Sequence, residues 1–296
     1  MTLDSSREAA SDAALVRSGR IQAVAFVAAL ALLQVLASGW WMHANGFFSR
    51  PPFHDAGWFR VDAQLMVDRA SAEGLPGLFR AAFDHARPHP PLLPWLAAVS
   101  AWCTDGAVDA FDQWAAQQVF TVLLSIACYR LARNFGGRVF ASIAAVSMTT
   151  IPVLLVSSRG VMPKFAMTAC VLLAFDALLR SDGLRRIGAA VRAGAFIGLS
   201  MLTMMLAPLY VAGAGLVVFG YGLRKRGTRG RVLLNSALAA LAVALTAGWW
   251  YARHYRLTLN YAKAVTGAEG QAVYSAGVGP WSLARWTYYP TQLVNN

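Results

Sequence analysis

From Ile21 to Met42 the chain carries no charged side chain. An apolar run of about 20 residues is what an α-helix needs to cross a bilayer. Mostly apolar stretches recur at Phe111 to Leu131, Val139 to Val156, Met162 to Leu179, Ile187 to Leu202, Met204 to Leu223 and Val232 to Tyr251. In hydrocarbon each backbone N–H and C=O must be satisfied within the segment, so these runs are helices. The fold class expected is an all-α polytopic membrane protein with about seven spans. Composition agrees, with 57% hydrophobic and 14% charged residues, against about 25% charged in soluble domains. Several stretches are slightly short, which tilt and snorkelling arginines absorb. The first ends in Trp40-Trp41, an interfacial anchor, and reads as an uncleaved signal anchor.

The net charge of +12 would suit a nucleic-acid partner, but most arginines lie in short runs between apolar stretches, where topology accounts for them. No nucleic-acid partner is expected. With the N-terminus inside, the inner segments hold Arg7, Arg17 and Arg20; Arg130, Arg133 and Arg138; Arg180, Arg185, Arg186 and Arg192; and Arg224, Lys225, Arg226, Arg229 and Arg231. The short outer connections hold only Arg159 and Lys164. This orientation requires that the short apolar helix after Pro91, Leu92 to Cys103, does not cross. The expected organisation is a cytoplasmic tail at 1–20, a transmembrane module at 21–251 with an outer loop at 43–91, and an outer C-terminal segment at 252–296.

That outer loop holds most of the candidate chemistry. Asp55 follows Phe47, Phe48 and Phe53 and precedes Trp58 and Phe59. A carboxylate among aromatics at an interface suits a general base, and a solvated loop aspartate capping a helix is the plain alternative. Trp58 to Ala72 has the spacing of a surface helix, with Asp62 and Asp68 expected on its solvated face, and Leu78 to His85 makes a second. Pro90 and Pro91 suit the first turn of the next helix. His85, Arg87 and His89 form a basic cluster at the end of the loop, able to hold a phosphate or simply to snorkel. His54, His85 and His89 lack the spacing of a metal site. No metal ligand or cofactor is assigned, and a divalent metal is left open. Arg159 and Lys164 share a short outer connection against the charge trend, which favours an anion-binding role over snorkelling alone. Asp176 and Arg192, near inner span ends, read as structural. Cys103, Cys128 and Cys170 read as small core residues.

Four features, in order, carry a family likeness: the acid soon after the first span, His54-Asp55; the Pro-Pro helix His89-Pro90-Pro91-Leu92-Leu93-Pro94-Trp95; the stretch Arg130 to Arg138; and Gly198-Leu199-Ser200-Met201-Leu202-Thr203. In these the chain resembles the GT-C membrane glycosyltransferases, in particular bacterial relatives of protein O-mannosyltransferases and of transferases that add aminoarabinose to lipid A. The likeness runs from about Ile21 onward. It implies a bundle of seven spans with surface helices in the first outer loop, here the N-terminal module of what is usually a longer chain. The chain departs from the family pattern at Ala56, where Glu is frequent, at Lys164, where Asp is frequent, and at Met204, where Lys is frequent.

The resemblance implies an enzyme that moves a hexosyl or pentosyl group from a polyprenyl-phosphate donor to a lipid, glycan or protein hydroxyl, with inversion. It places this in the bacterial inner membrane with the site facing the periplasm. Asp55 would be the catalytic base, and His89, Arg159 and Lys164 the donor phosphate ligands. His54, His85 and Arg87 would be acceptor or accessory residues. The rival readings are a lipid or sugar-lipid transporter or flippase, and a non-catalytic lipid-binding subunit. A transporter would show charges or broken helices at mid-membrane, where only Pro152 and Pro208 stand out as breakers.

Overall fold

The computed structural model describes residues 25–49, 55–87 and 89–266. The expected tail at 1–20, His54 and the segment beyond Thr266 lie outside the described residues. The described chain is all helix: α1 (Ala25–Ala44), α2 (Asp55–Glu73), α3 (Leu75–Asp84), α4 (Leu92–Trp102), α5 (Ala110–Ala132), α6 (Arg138–Thr150), α7 (Pro152–Arg159), α8 (Pro163–Arg180), α9 (Ile187–Thr203), α10 (Ala207–Arg224), α11 (Arg229–Val243) and α12 (Trp249–Thr266), with a π-helical turn at Ala244–Gly248.

Among the described residues, four helices are long and apolar enough to cross a membrane: Ala25–Ala44, Ala110–Ala132, Ala207–Arg224 and the continuous run Arg226–Ala264. The sequence predicts about seven, and three of those differ for physical reasons. Val139 to Val156 is broken at Ile151, whose ψ of 127° leaves the helix, because the residue before proline avoids helical backbone and Pro152 has no N–H to donate. α8 has the length but carries Lys164, Asp176 and Arg180. α9 has only 17 residues. Pro208 falls in the first turn of α10 and breaks nothing.

Two compact units divide the chain. Among the described residues, the first comprises 25–49, 55–85 and 89–249, and the second 86–87 and 250–266. In the first unit, one apolar cluster joins α1, α5, α6 and α8 through Val27, Phe120, Leu124, Ala141 and Phe165. A second packs α2 and α3 on α4 through Met66, Val67, Leu78 and Ala98. A third binds α8, α9, α10 and α11 through Val171, Ala190, Val211 and Val232. The second unit follows α12, which bends at His254 (φ −110°, ψ 21°) and continues to Thr266 instead of ending near Tyr251.

The surface helix α2 is rotated relative to the expected amphipathic pattern. Phe59, Asp62, Met66 and Ala70 are buried, while Trp58, Val61 and Leu65 are exposed. The helix lies on protein with one face and presents an apolar stripe with another, as an interfacial helix does. Asp62 is therefore a buried group and not the solvated one expected. Asp68 is solvated as expected, accepting from Gln64 Nε2 at 2.8 Å. Cys128 and Cys170 are buried, whereas Cys103, expected in the core, is exposed at the end of α4.

Asp176 is 1% exposed and lies 2.6 Å from Arg130 and 2.7 Å from Arg180, tying α5 to α8. A carboxylate buried in an apolar bundle persists only with such partners. Asp176→Asn leaves two arginines without a counter-charge. The expected loss is about 1–3 kcal/mol, less than for a fully dry pair because both arginines reach solvent. A thermal midpoint in detergent equal to wild type would show that the triad is energetically neutral.

Candidate functional site

The site is organised by side-chain amides on the N-terminal half of α5. Gln113 Nε2 donates to Ala56 O at 2.7 Å, fixing the first turn of α2 just after Asp55. One turn along, Gln117 Nε2 donates to Met162 O at 3.2 Å, and Gln118 Nε2 to Ser158 O at 2.6 Å, fixing the connection between α7 and α8. Four residues of helix rise about 6 Å, so α5 holds the start of α2 and the turn before Lys164 about one helical turn apart. Gln113, Gln117 and Gln118 are all buried. In a dry helix interface, amides such as these need partners. Their N–H groups find backbone carbonyls on neighbouring elements.

Asp55 is the first residue of α2. Phe59, one turn further on, places its ring 5.3 Å from that of His89. His89 precedes α4, whose N-cap is Pro91, so the prolines enter the helix and do not sit in its first turn. His85 ends α3, buried, with Nε2 3.0 Å from His89 O and 3.9 Å from Asp62 Oδ2. The structure thus gathers His85, His89 and Asp62 beside α2. Arg87 is half-buried in the bend between α3 and α4.

The two cations of the α7–α8 connection are unlike. Arg159 ends α7 with its guanidinium 4.2 Å over the ring of Trp41 on α1, a helix-to-helix contact that favours a structural role. Lys164 is exposed in the first turn of α8. A cation there opposes the helix dipole, so it is placed where an anion would relieve it. One turn on, Met167 shares an apolar cluster with Met201 and Met204, which brings the α9–α10 turn to the same end of the bundle.

Beside His89, an apolar cavity of about 440 Å³ is walled by Phe79 and Phe83 of α3, Leu92 and Trp95 of α4, Leu202 of α9, and Trp249. Trp249 stacks on Phe83 with ring centroids 5.6 Å apart and donates its indole N–H to Thr246 O at 2.7 Å. The π-helical turn sets this angle, since it adds a residue to the helical repeat just before Trp249. Among the described residues, no group of three or more His, Cys, Asp or Glu is arranged to hold a metal.

Residues 88–250, more than half of the chain, match the family described as dolichyl-phosphate-mannose-protein mannosyltransferase. The chain belongs to this family. It is a GT-C-related, multi-pass membrane protein of glycosyltransferase type. The matched region includes His89, Arg159 and Lys164, while Asp55, His85 and Arg87 precede it. No curated protein and no solved structure matches the chain.

Three parts of this site were not anticipated from sequence. Asp62 followed the pattern of a solvated position. The α5 glutamines lay within what read as a plain span. Phe83, Leu202 and Trp249 are far apart in the chain. The glutamines alone left a signal, because three amides within six residues of a membrane helix are unusual where polar groups are costly.

Proposed function

We propose that this family member transfers a sugar from a polyprenyl-phosphate donor to an acceptor hydroxyl at the outer membrane face, with inversion. The observation that carries the reading is the apolar cavity beside His89. A lipid-linked donor needs an apolar channel for its chain adjoining cations for its phosphate. Pro91 and Leu92, two and three residues after His89, line the cavity, and Lys164 lies at the α7–α8 turn tied to α5. The N-terminus and the arginine-rich turns are taken to be cytoplasmic, which puts residues 43–91 and 252–296 outside. The α6–α7 pair, α8 and α9 would complete the seven-helix bundle as broken, charged or protein-shielded elements.

In this mechanism Asp55 accepts the proton of the acceptor hydroxyl while that oxygen bonds to the anomeric carbon. The bond from that carbon to the donor phosphate oxygen breaks, and the lipid phosphate departs with the electron pair. His89 and Lys164 balance its charge, with Arg159 anchoring the adjoining helix. His85 holds the His89 backbone, and His54 and Arg87 keep the accessory role that the resemblance implies.

Lys164→Met is expected to weaken donor binding by about 1–3 kcal/mol, the scale for losing a hydrogen bond to a charged group, with Lys164→Arg retaining part of it. Donor affinity unchanged by Lys164→Met would remove the phosphate role. The direct test is transfer of radiolabelled sugar from lipid donor in proteoliposomes, with Ala82→Trp as the variant. Ala82 is buried at the cavity wall, and the added ring fills it. Overpacking of this kind costs about 1–3 kcal/mol, or roughly fivefold to 150-fold in donor KM. Wild-type transfer with unchanged KM in the variant would show that the cavity does not hold the donor. The break at Ile151 is the feature that favours a transporter instead, and lipid translocation without sugar transfer in the same vesicles would establish that reading.

A further inference from the structure

The turn joining α8 to α9 has three consecutive residues in the left-handed region: Asp182 at φ 52°, Gly183 at 66° and Leu184 at 61°. For Asp182 and Leu184 this backbone is strained, and it persists only where the surroundings over-determine it. Here they do. Leu184 N donates to Ser181 Oγ at 3.0 Å, and Arg186 N donates to Ser181 O at 3.0 Å. Buried Asn235, on α11, donates to Leu184 O at 2.7 Å. Gly183 then packs backbone to backbone on Gly222 of α10, so closely that a Cβ on Gly222 would lie 2.1 Å from Gly183 O.

This contact sets the turn carrying Arg185-Arg186 against the last turn of α10, which runs on into Arg224-Lys225-Arg226. Asp182 is the sole carboxylate in either turn and is engaged by Arg185 at 3.3 Å, while the Arg185 guanidinium also lies 5.3 Å from the Tyr221 ring. Arg186, Arg224, Lys225 and Arg226 are exposed and form no ion pair among the described residues. Membrane orientation requires cations near span ends. It does not require a strained turn, pinned by a buried asparagine, that joins two arginine-bearing segments.

Unpaired cations gathered on adjoining segments repel one another, and an anion bound among them offsets that repulsion. Leu179 and Ile187, flanking the turn on α8 and α9, are more than half exposed, so the cationic surface continues into an apolar one. A headgroup phosphate with acyl chains attached matches both parts, whereas a free phosphate matches only the first. We propose that the α8–α9 and α10–α11 turns form a binding site for the phosphate headgroup of an anionic glycerophospholipid.

The test uses the full chain in detergent, titrated with phosphatidylglycerol or phosphatidylcholine and followed by native mass spectrometry. Wild type is expected to retain phosphatidylglycerol selectively. Arg186→Gln with Lys225→Gln should weaken that binding about tenfold or more. Arg133→Gln with Arg138→Gln, which removes the same charge from the α5–α6 turn, should weaken it far less. Gly222→Ala keeps every charge but forces the turns apart, and should weaken it comparably to the first pair. Equal losses in the two charge variants, or full affinity in a folded Gly222→Ala protein, would overturn the site. Displacement of the lipid by millimolar inorganic phosphate would assign the site to free phosphate and overturn the lipid assignment. If Gly222→Ala does not fold, the comparison of the two charge variants decides alone.

Discussion

Asp55→Asn is expected to lower sugar transfer by about 10²- to 10⁴-fold, the usual contribution of a general base, with insertion and thermal stability unchanged. The amide keeps the size of the carboxylate and removes its basicity. Asp55 opens α2, and Gln113 holds the next residue through the carbonyl of Ala56. The backbone placement therefore does not depend on the side chain that is changed. Asp68→Asn is the control, since that side chain is exposed on the same helix and contacts Gln64, and it should leave transfer near wild type. Transfer within a few-fold of wild type in the Asp55→Asn protein would sink the assignment of the base.

The second large effect is on the fold. Gly194→Val is expected to abolish the folded protein, seen as loss of the monodisperse peak in detergent chromatography. At Gly194 even a Cβ would stand 2.1 Å from Ala239 O, because α9 and α11 pack with their backbones in contact. Helices in a membrane associate through such small-residue contacts and not through a hydrophobic driving force between them. A valine must separate the pair, at a cost of at least the 1–3 kcal/mol typical of overpacking, and the third apolar cluster is built on that pair. Gly213→Ala is the matched control. Nothing lies within 4 Å of a Cβ there, so alanine should be neutral or stabilise α10 by up to about 1 kcal/mol. Survival of Gly194→Val at the wild-type midpoint would mean that α9 and α11 can part without loss.

Much of the scaffold was legible from the chain alone. Apolar runs of bilayer length determine helices, because hydrocarbon leaves the backbone no other partner. The first, second and last two spans follow from that rule. The surface helices of the first loop and the short helix after Pro91 were equally readable, from spacing and from proline. The family was legible in the order of its motifs, although none of them is specific by itself.

Where the rule met local chemistry, length alone misled. Val139 to Val156 reads as continuous by hydropathy, yet the backbone preference imposed by Pro152 divides it. Hydropathy averages over a window, whereas a proline acts at one peptide bond. The buried face of α2 differs from its amphipathic pattern for a related reason. An amphipathic pattern assumes one apolar side and one wet side, and α2 lies between protein and an apolar surface. Asp62 consequently turned inward to His85, while Val61 and Leu65 turned out.

The sequence by itself determined the helices, their approximate order through the membrane and the residue types available to a phosphate. Those properties depend on short stretches and on the solvent around them. Only the tertiary structure decided which residues meet. Gln113 and Gln117 reach across 57 and 45 residues to hold the start of α2 and the turn before Lys164. Phe83, Leu202 and Trp249 close one cavity. Gly183 and Gly222 set one basic turn against the end of the helix that leads into another. Each of these contacts depends on how closely two backbones approach and on which side-chain donor comes within reach of which carbonyl. Neither quantity is periodic in the sequence, and both are set when the helices pack.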